Sequence, residues 1–338
     1  ALTAANVRWK DRIYSPLVTL WVFLGQVLSE DHSCRWAVAR LIAHRVSRDQ
    51  RPCSADTGAY CQARKRLPEK FFSEVARRTG RALDSNVDSR WLWKGRRVLN
   101  FDGSSVSMPD TVKNQDAYPQ PDTQKLGLGF PLARIAVVFS LSCGAVLDLA
   151  ICRYAGKGQS ELGMLRTLWD WFLPGDVVLT DRLMCTWTEI AMLMGRGVDS
   201  VTRLHVMRTA DFRRGKRLGK RDHIVQWPKP TKPRSIDRKT YNSLPDFITV
   251  REIYVKVEQA GFRTKNLIVV TTLLDADDFT KSDLAELYRS RWSAELDLRS
   301  LKRTMKMEIL RCKTPELVRK EIWTHLLAYN LIRTIIAQ

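Results

Sequence analysis

At Arg97 the chain changes from long helical periods to short β-rich runs, and the order of those runs restricts the architectures open to it. Residues 98–101, 132–142 and 145–153 read as strands, the last two joined by a Cys143-Gly144 hairpin turn. A helix over 161–172 follows, Pro174-Gly175 breaks the chain, and then come a strand at 177–180, a helix at 187–194 and a strand at 200–204. Three sequential strands followed by alternating helix and strand call for one mixed sheet with helices packed on it.

That order is the ribonuclease-H-like one, and the rest of the chain divides around it. Residues 1–95 read as an all-helical DNA-binding module, with helices at 17–28, 33–46, 54–67 and 68–83. Asp31 and Ser33 supply caps, and Pro68 with Glu69 suits a first turn. Its third helix carries Tyr60, Gln62, Arg64, Lys65 and Arg66, types suited to base edges and phosphates, or equally to an exposed amphipathic face. Residues 96–204 form the first part of the core. Residues 205–272 are expected as a basic, β-rich insertion, aperiodic to 240 and then strand-like at 249–257 and 265–272. Residues 273–338 return to the core as helices at 281–308 and from 315 onward.

The charge follows the same division. Of 56 Lys and Arg against 36 Asp and Glu, giving +20, residues 205–240 hold 12 basic and 3 acidic, while residues 96–204 hold 11 of each. Concentrated positive blocks flanking a neutral core favour a polyanion, nucleic acid before an anionic membrane. Arg213, Arg214, Lys216 and Arg217 are the densest part of the second block. Seven cysteines without a C-x-x-C pair indicate neither a disulfide framework nor a zinc knuckle, so a reducing cytosol is the expected compartment. The apolar stretch at 13–29 contains Pro16 and Gln26 and is too short to span a bilayer comfortably.

The most specific segment runs from Tyr288 through Arg291, Trp292 and Glu295 to Lys302. At 100° per residue, Tyr288, Arg291, Glu295 and Lys302 fall within about 60° of one another. Beside them Leu287, Ala294, Leu298, Leu301 and Met305 form an apolar stripe that would seat the helix on a core. A surface helix with an Arg291–Glu295 pair would give the same pattern. Asp102 and Asp181 follow the runs at 98–101 and 177–180, where strand-end carboxylates of a mixed sheet meet at one edge. With a glutamate from a helix they could hold two Mg²⁺ ions for phosphodiester chemistry, although singly each suits a turn.

Tyr288-x2-Arg291-x3-Glu295-x6-Lys302 resembles the Y-R-E-K signature of the bacterial cut-and-paste DDE transposases, insertion-sequence family four. The segment from Asp102 to Asp110, the pair Asp181-Arg182 and the stretch Arg311 to Glu316 are similar to that family too. The resemblance implies that Asp102, Asp181 and Glu295 are a catalytic metal triad for two Mg²⁺, with Mn²⁺ as substitute. It implies an α/β, ribonuclease-H-like core with a β-rich insertion. Tyr288, Arg291, Lys302 and Arg182 would contact the phosphates of double-stranded transposon-end and target DNA, and the helical module would recognise the terminal repeat. The working form would be a homodimer on DNA, cytoplasmic and nucleoid-associated. The chain departs from the pattern in having no Trp around Asn266, which leaves stacking on a flipped base to Trp292 or Phe262. A catalytically silent domesticated DNA-binding protein and a structure-selective nuclease on the same fold are the alternatives.

Overall fold

The computed structural model describes residues 3, 5, 12–125, 127–154, 156, 160–256 and 266–336. Phe262 lies outside them, as does the side chain of Ala294.

Four helices open the chain: α1 (Pro16–Leu28), α2 (Cys34–Val46), α3 (Gly58–Arg66) and α4 (Glu69–Ser85). Ser15 caps α1 ahead of Pro16, and Ser33 caps α2, each accepting a backbone N–H three residues on. The sheet then begins with β1 (Val98–Ser107), followed by α5 (Val112–Ala117), β2 (Leu132–Ser140), β3 (Val146–Arg153) and α6 (Glu161–Thr167). Next come β4 (Val177–Thr180), α7 (Trp187–Met194) and β5 (Asp199–Arg203). The stretch expected to be aperiodic holds β6 (Lys216–Gly219), β7 (Asp222–Pro228) and α8 (Arg238–Ser243), before β8 (Phe247–Lys256) and β9 (Asn266–Thr271). The chain closes with α9 (Lys281–Arg299) and α10 (Pro315–Ile336).

The nine strands among the described residues belong to one mixed sheet in the order β3-β2-β1-β4-β5-β9-β8-β7-β6. β1 pairs antiparallel with β2 and parallel with β4, and β9 joins antiparallel to β5, so the basic strands extend the sheet. Alternation along β1 splits its side chains between two cores: Leu99 and Phe101 pack with Leu165 of α6 and Leu193 of α7, while Val98 packs with Leu284 and Leu287 of α9.

The N-terminal helices share a core with the C-terminal one. Phe23 of α1 and Phe71, Phe72 and Ala76 of α4 pack with Ile322 and Leu326 of α10 and with Ile135 and Val137 of β2. Polar bonds fix this packing. Asn330 of α10 accepts from Val146 N at 2.8 Å and donates to Val146 O at 2.8 Å and Ala76 O at 3.3 Å. Lys320, fully buried, donates to the carbonyls of Arg64 and Lys65 that end α3, each at 3.2 Å. Gly80 lets α4 lie this close, since a Cβ there would meet Val146 O at 2.2 Å.

Candidate active site

β1 runs to Ser107, so Asp102 lies within a strand rather than at its end. The reason is that β1 keeps its β2 neighbour to Ser107 but loses its parallel partner after Asn100. Val98, Leu99 and Asn100 stand opposite Val177, Val178 and Leu179, and the same offset carries Asp102 to Asp181, just past the end of β4. The two aspartates therefore sit side by side where the parallel pairing stops. Asp102 shares the face of β1 that carries Val98, the face on which α9 packs. Its Oδ1 accepts from Gly103 N at 2.9 Å, and Asp181 Oδ1 accepts from Leu183 N at 2.9 Å in a single 3₁₀ turn.

Helix α9 brings the third acid. Thr280 and Asp283 form a capping box at its start, and Leu284, Leu287 and Leu298 are buried beneath it. The helix ends at Arg299, short of the expected 308, and passes into a π-helical turn over Ser300–Thr304 that buries Leu301, with Met305 also buried just beyond it. Glu295 and Lys302 then line one cleft of about 410 Å³ with Asp102. Arg291 Nη2 donates to Glu295 Oε1 at 2.5 Å, and Lys302 Nζ lies 3.6 Å from Glu308. Tyr288 is buried with Leu284 and Leu287, which takes it off the cleft surface; its ring lies 6.0 Å from the Arg291 guanidinium. Trp292 is exposed beside Arg291.

Burial pushes the Asp102 carboxyl up to about 6, with the charges of Glu295 and Asp181 adding to the rise against Arg291 and the Gly103 N–H. Asp102 thus senses both of the other acids. A hard divalent cation suits carboxylate oxygens at such a site and would relieve their mutual repulsion. Among the described residues, however, no three His, Cys, Asp or Glu groups stand close enough to hold an ion, and Glu295 is engaged by Arg291.

The raised value sets a stability prediction. The folded chain binds the Asp102 proton more tightly than the unfolded chain, whose carboxyl titrates near 3.8. Metal-free stability therefore falls as pH rises from about 4 to about 6. Asp102→Asn removes this dependence and is expected to be about 2–3 kcal/mol more stable than wild type at pH 7 and equal near pH 4. Urea unfolding at the two pH values checks it; no difference at either would contradict the assignment.

The remaining expected contacts separate into two groups. Arg182 is exposed beside Asp181, and Arg213 and Arg214, with side chains 90% and 81% exposed, lead into β6, where Lys216 and Arg217 are exposed too. On α3, Lys65 is exposed and Gln62 is exposed too. Arg64 is not: at 4% exposure its guanidinium lies over the rings of Phe23 and Tyr60 and donates to Gln26 Oε1 at 3.3 Å and Cys34 Sγ at 3.2 Å. It is a core residue of the helical module, which corrects the expectation that it faces DNA. Ser104, Arg299, Arg303 and Glu308 also line the cleft, although nothing in the sequence reading placed them there. Period-two placement from Asp102 points to Ser104, and i,i+4 placement from Glu295 points to Arg299.

Residues 93–331 match the family model described as the transposase DDE domain. The chain is 27% identical over 316 residues to the transposase InsG of insertion sequence element IS4 from Escherichia coli K12, spanning 93% of this chain and 68% of that protein. It is 38% identical over 69 residues to the transposase of insertion sequence element IS421 from Escherichia coli, a fifth of either chain. Among solved structures it is similar to the piggyBac transposase in its synaptic complex with hairpin DNA, with a TM-score of 0.51 at 10% identity, covering 97% of this chain and 67% of that one. That likeness is one of fold.

Proposed function

Since the chain belongs to the DDE transposase family and is a DNA transposase, we propose that it cuts and joins its element's ends at the cleft between β1, β4 and α9. The observation that carries this reading is the register of β1 on β4, which sets Asp102 beside Asp181 on the face that α9 covers with Glu295. The first five strands, in the order β3-β2-β1-β4-β5, are a ribonuclease-H-like core. Residues 1–95 are a helical module for the terminal repeat, 205–272 a basic insertion, and 273–338 the return to the core.

Asp102, Asp181 and Glu295 would hold divalent metal, two Mg²⁺ with Mn²⁺ as substitute. Bound there, such ions activate water and stabilise the leaving 3′ oxygen. Arg291 and Lys302, with Arg182 beside Asp181, bind the phosphates around the scissile bond. Tyr288 supports Arg291 from beneath, and exposed Trp292 offers a ring for an unstacked base. The working form is a homodimer on DNA, in the cytoplasm with the nucleoid. No helix among the described residues is long and apolar enough to cross a membrane.

EDTA is expected to abolish strand cleavage of a duplex carrying the element's ends, and cleavage that persists in EDTA would overturn the metal assignment. The DNA interface has its own test. Neutralising Arg213, Arg214, Lys216 and Arg217 together should flatten the slope of log K against log salt by about 0.9 for each phosphate that is no longer neutralised. An unchanged slope would place these four residues in solvent.

A further inference from the structure

Arg291 and Glu295 are one turn apart on α9, and their 2.5 Å bond occupies the carboxylate that would complete the acid set. One of the guanidinium's donors is left unmet. Its side chain is only 12% exposed, and its Nε–H is buried with no acceptor among the described residues. A guanidinium has five N–H donors, and a buried one with donors unmet suits a ligand with several acceptor oxygens. Arg299, Lys302 and Arg303 line the cleft that Glu295 shares with Asp102, so an incoming phosphate would be drawn there. Arg291 can thus bind either of two anions, its own helix's carboxylate or a DNA phosphate that reaches Glu295 from that cleft.

We propose that Arg291 is a switch that keeps Glu295 from the Asp102–Asp181 pair until a DNA phosphate takes its place. This rests on the reading of the three acids as metal ligands. In the DNA-free chain Arg291 holds Glu295 away from the two aspartates. When a backbone phosphate enters, the guanidinium forks onto its oxygens, a pairing at least as favourable as a carboxylate. Glu295 is released and turns toward the aspartates. Metal affinity and DNA affinity are then coupled, each raising the other by the same factor. Such coupling withholds the metal-loaded site from water and stray phosphodiesters until an end is in place.

The test is a titration of Mn²⁺, followed by its electron paramagnetic resonance, into the full chain with and without saturating duplex DNA. The duplex alone serves to subtract ions held by the DNA itself. The duplex is expected to raise the wild-type Mn²⁺ affinity about tenfold. R291Q should show that raised affinity without DNA and gain little from the duplex. E295A should match wild type without DNA and lose the gain that the duplex brings. Weaker Mn²⁺ binding by DNA-free E295A would overturn the switch, because Glu295 would already be a ligand. So would an R291Q protein that responds to the duplex as wild type does. If D102N and D181N bind Mn²⁺ as tightly as wild type, it is the metal-site reading that fails; if they bind weakly while R291Q is unchanged, only the switch fails.

Discussion

Asp102→Asn, Asp181→Asn and Glu295→Gln are each expected to lower Mg²⁺-dependent strand cleavage to below about one-thousandth of wild type, a loss of roughly 4 kcal/mol of transition-state stabilisation. Each change is close to isosteric, so the fold and the basic surfaces stay in place. Asn at 102 still accepts from Gly103 N, and Asn at 181 still accepts from Leu183 N. What is lost is a ligand charge. Binding to duplex DNA should therefore remain within a few-fold of wild type, and Glu295→Gln should bind no more weakly, since it frees Arg291 from its carboxylate partner. Single-turnover cleavage and gel-shift binding, run on the same preparations, check both halves. A variant that cuts within tenfold of wild type does not belong to the acid set.

The second large effect is on stability and lies away from the cleft. Arg251 of β8 is 1% exposed and grips buried Asp222 of β7 with two bonds, Nε to Oδ1 at 2.9 Å and Nη2 to Oδ2 at 2.7 Å. Its remaining nitrogen donates to Phe279 O at 2.6 Å and Asp275 O at 3.3 Å, in the turn that leads to α9. Arg251→Leu leaves Asp222 charged and unpaired in the interior, which costs about 3–5 kcal/mol. The turn that sets the start of α9 loses its anchor, so cleavage should fall too. Replacing both partners, Arg251→Leu with Asp222→Leu, is expected to restore most of the stability, because no uncompensated charge remains. Chemical denaturation of the two single variants and the double variant reads this out; a single-variant loss under about 1 kcal/mol would show that the pair is solvated rather than buried.

How far the sequence reaches depends on the range of the interaction involved. α9 is legible because its periodicity is local: Leu287, Leu298, Leu301 and Met305 are buried as the apolar stripe requires, and Glu295 and Lys302 share a cleft as the polar stripe requires. The π-helical turn at Ser300–Thr304 leaves no such mark, since it follows from how Leu301 docks against distant elements. β6 and β7 are hidden by charge. Lys216 and Arg217 give no apolar alternation, and Gly215 just before β6 has a φ of +74° and lies so near β7 that a Cβ there would meet Ile224 O at 2.1 Å, which suits glycine alone. Arg64 misleads because a charged residue is surface by default. It is buried because Gln26 of α1 and Cys34 of α2 come from elsewhere in the helical module to receive it, beside Tyr60 one turn away on α3. Asp102 and Asp181 can be named from the sequence, but their meeting depends on a strand register that only the sheet supplies.

That this cleft cuts and joins the ends of its own element is tested most directly by incubating the wild-type protein and Mg²⁺ with a plasmid that carries the element flanked by its terminal repeats. Electrophoresis and end sequencing resolve the products. The element is expected to be released by breaks at both ends and recovered joined into target DNA, with neither product formed by Asp102→Asn, Asp181→Asn or Glu295→Gln. A plasmid left uncut by wild type while the protein still binds it, or release that persists in all three variants, would contradict this assignment of the cleft.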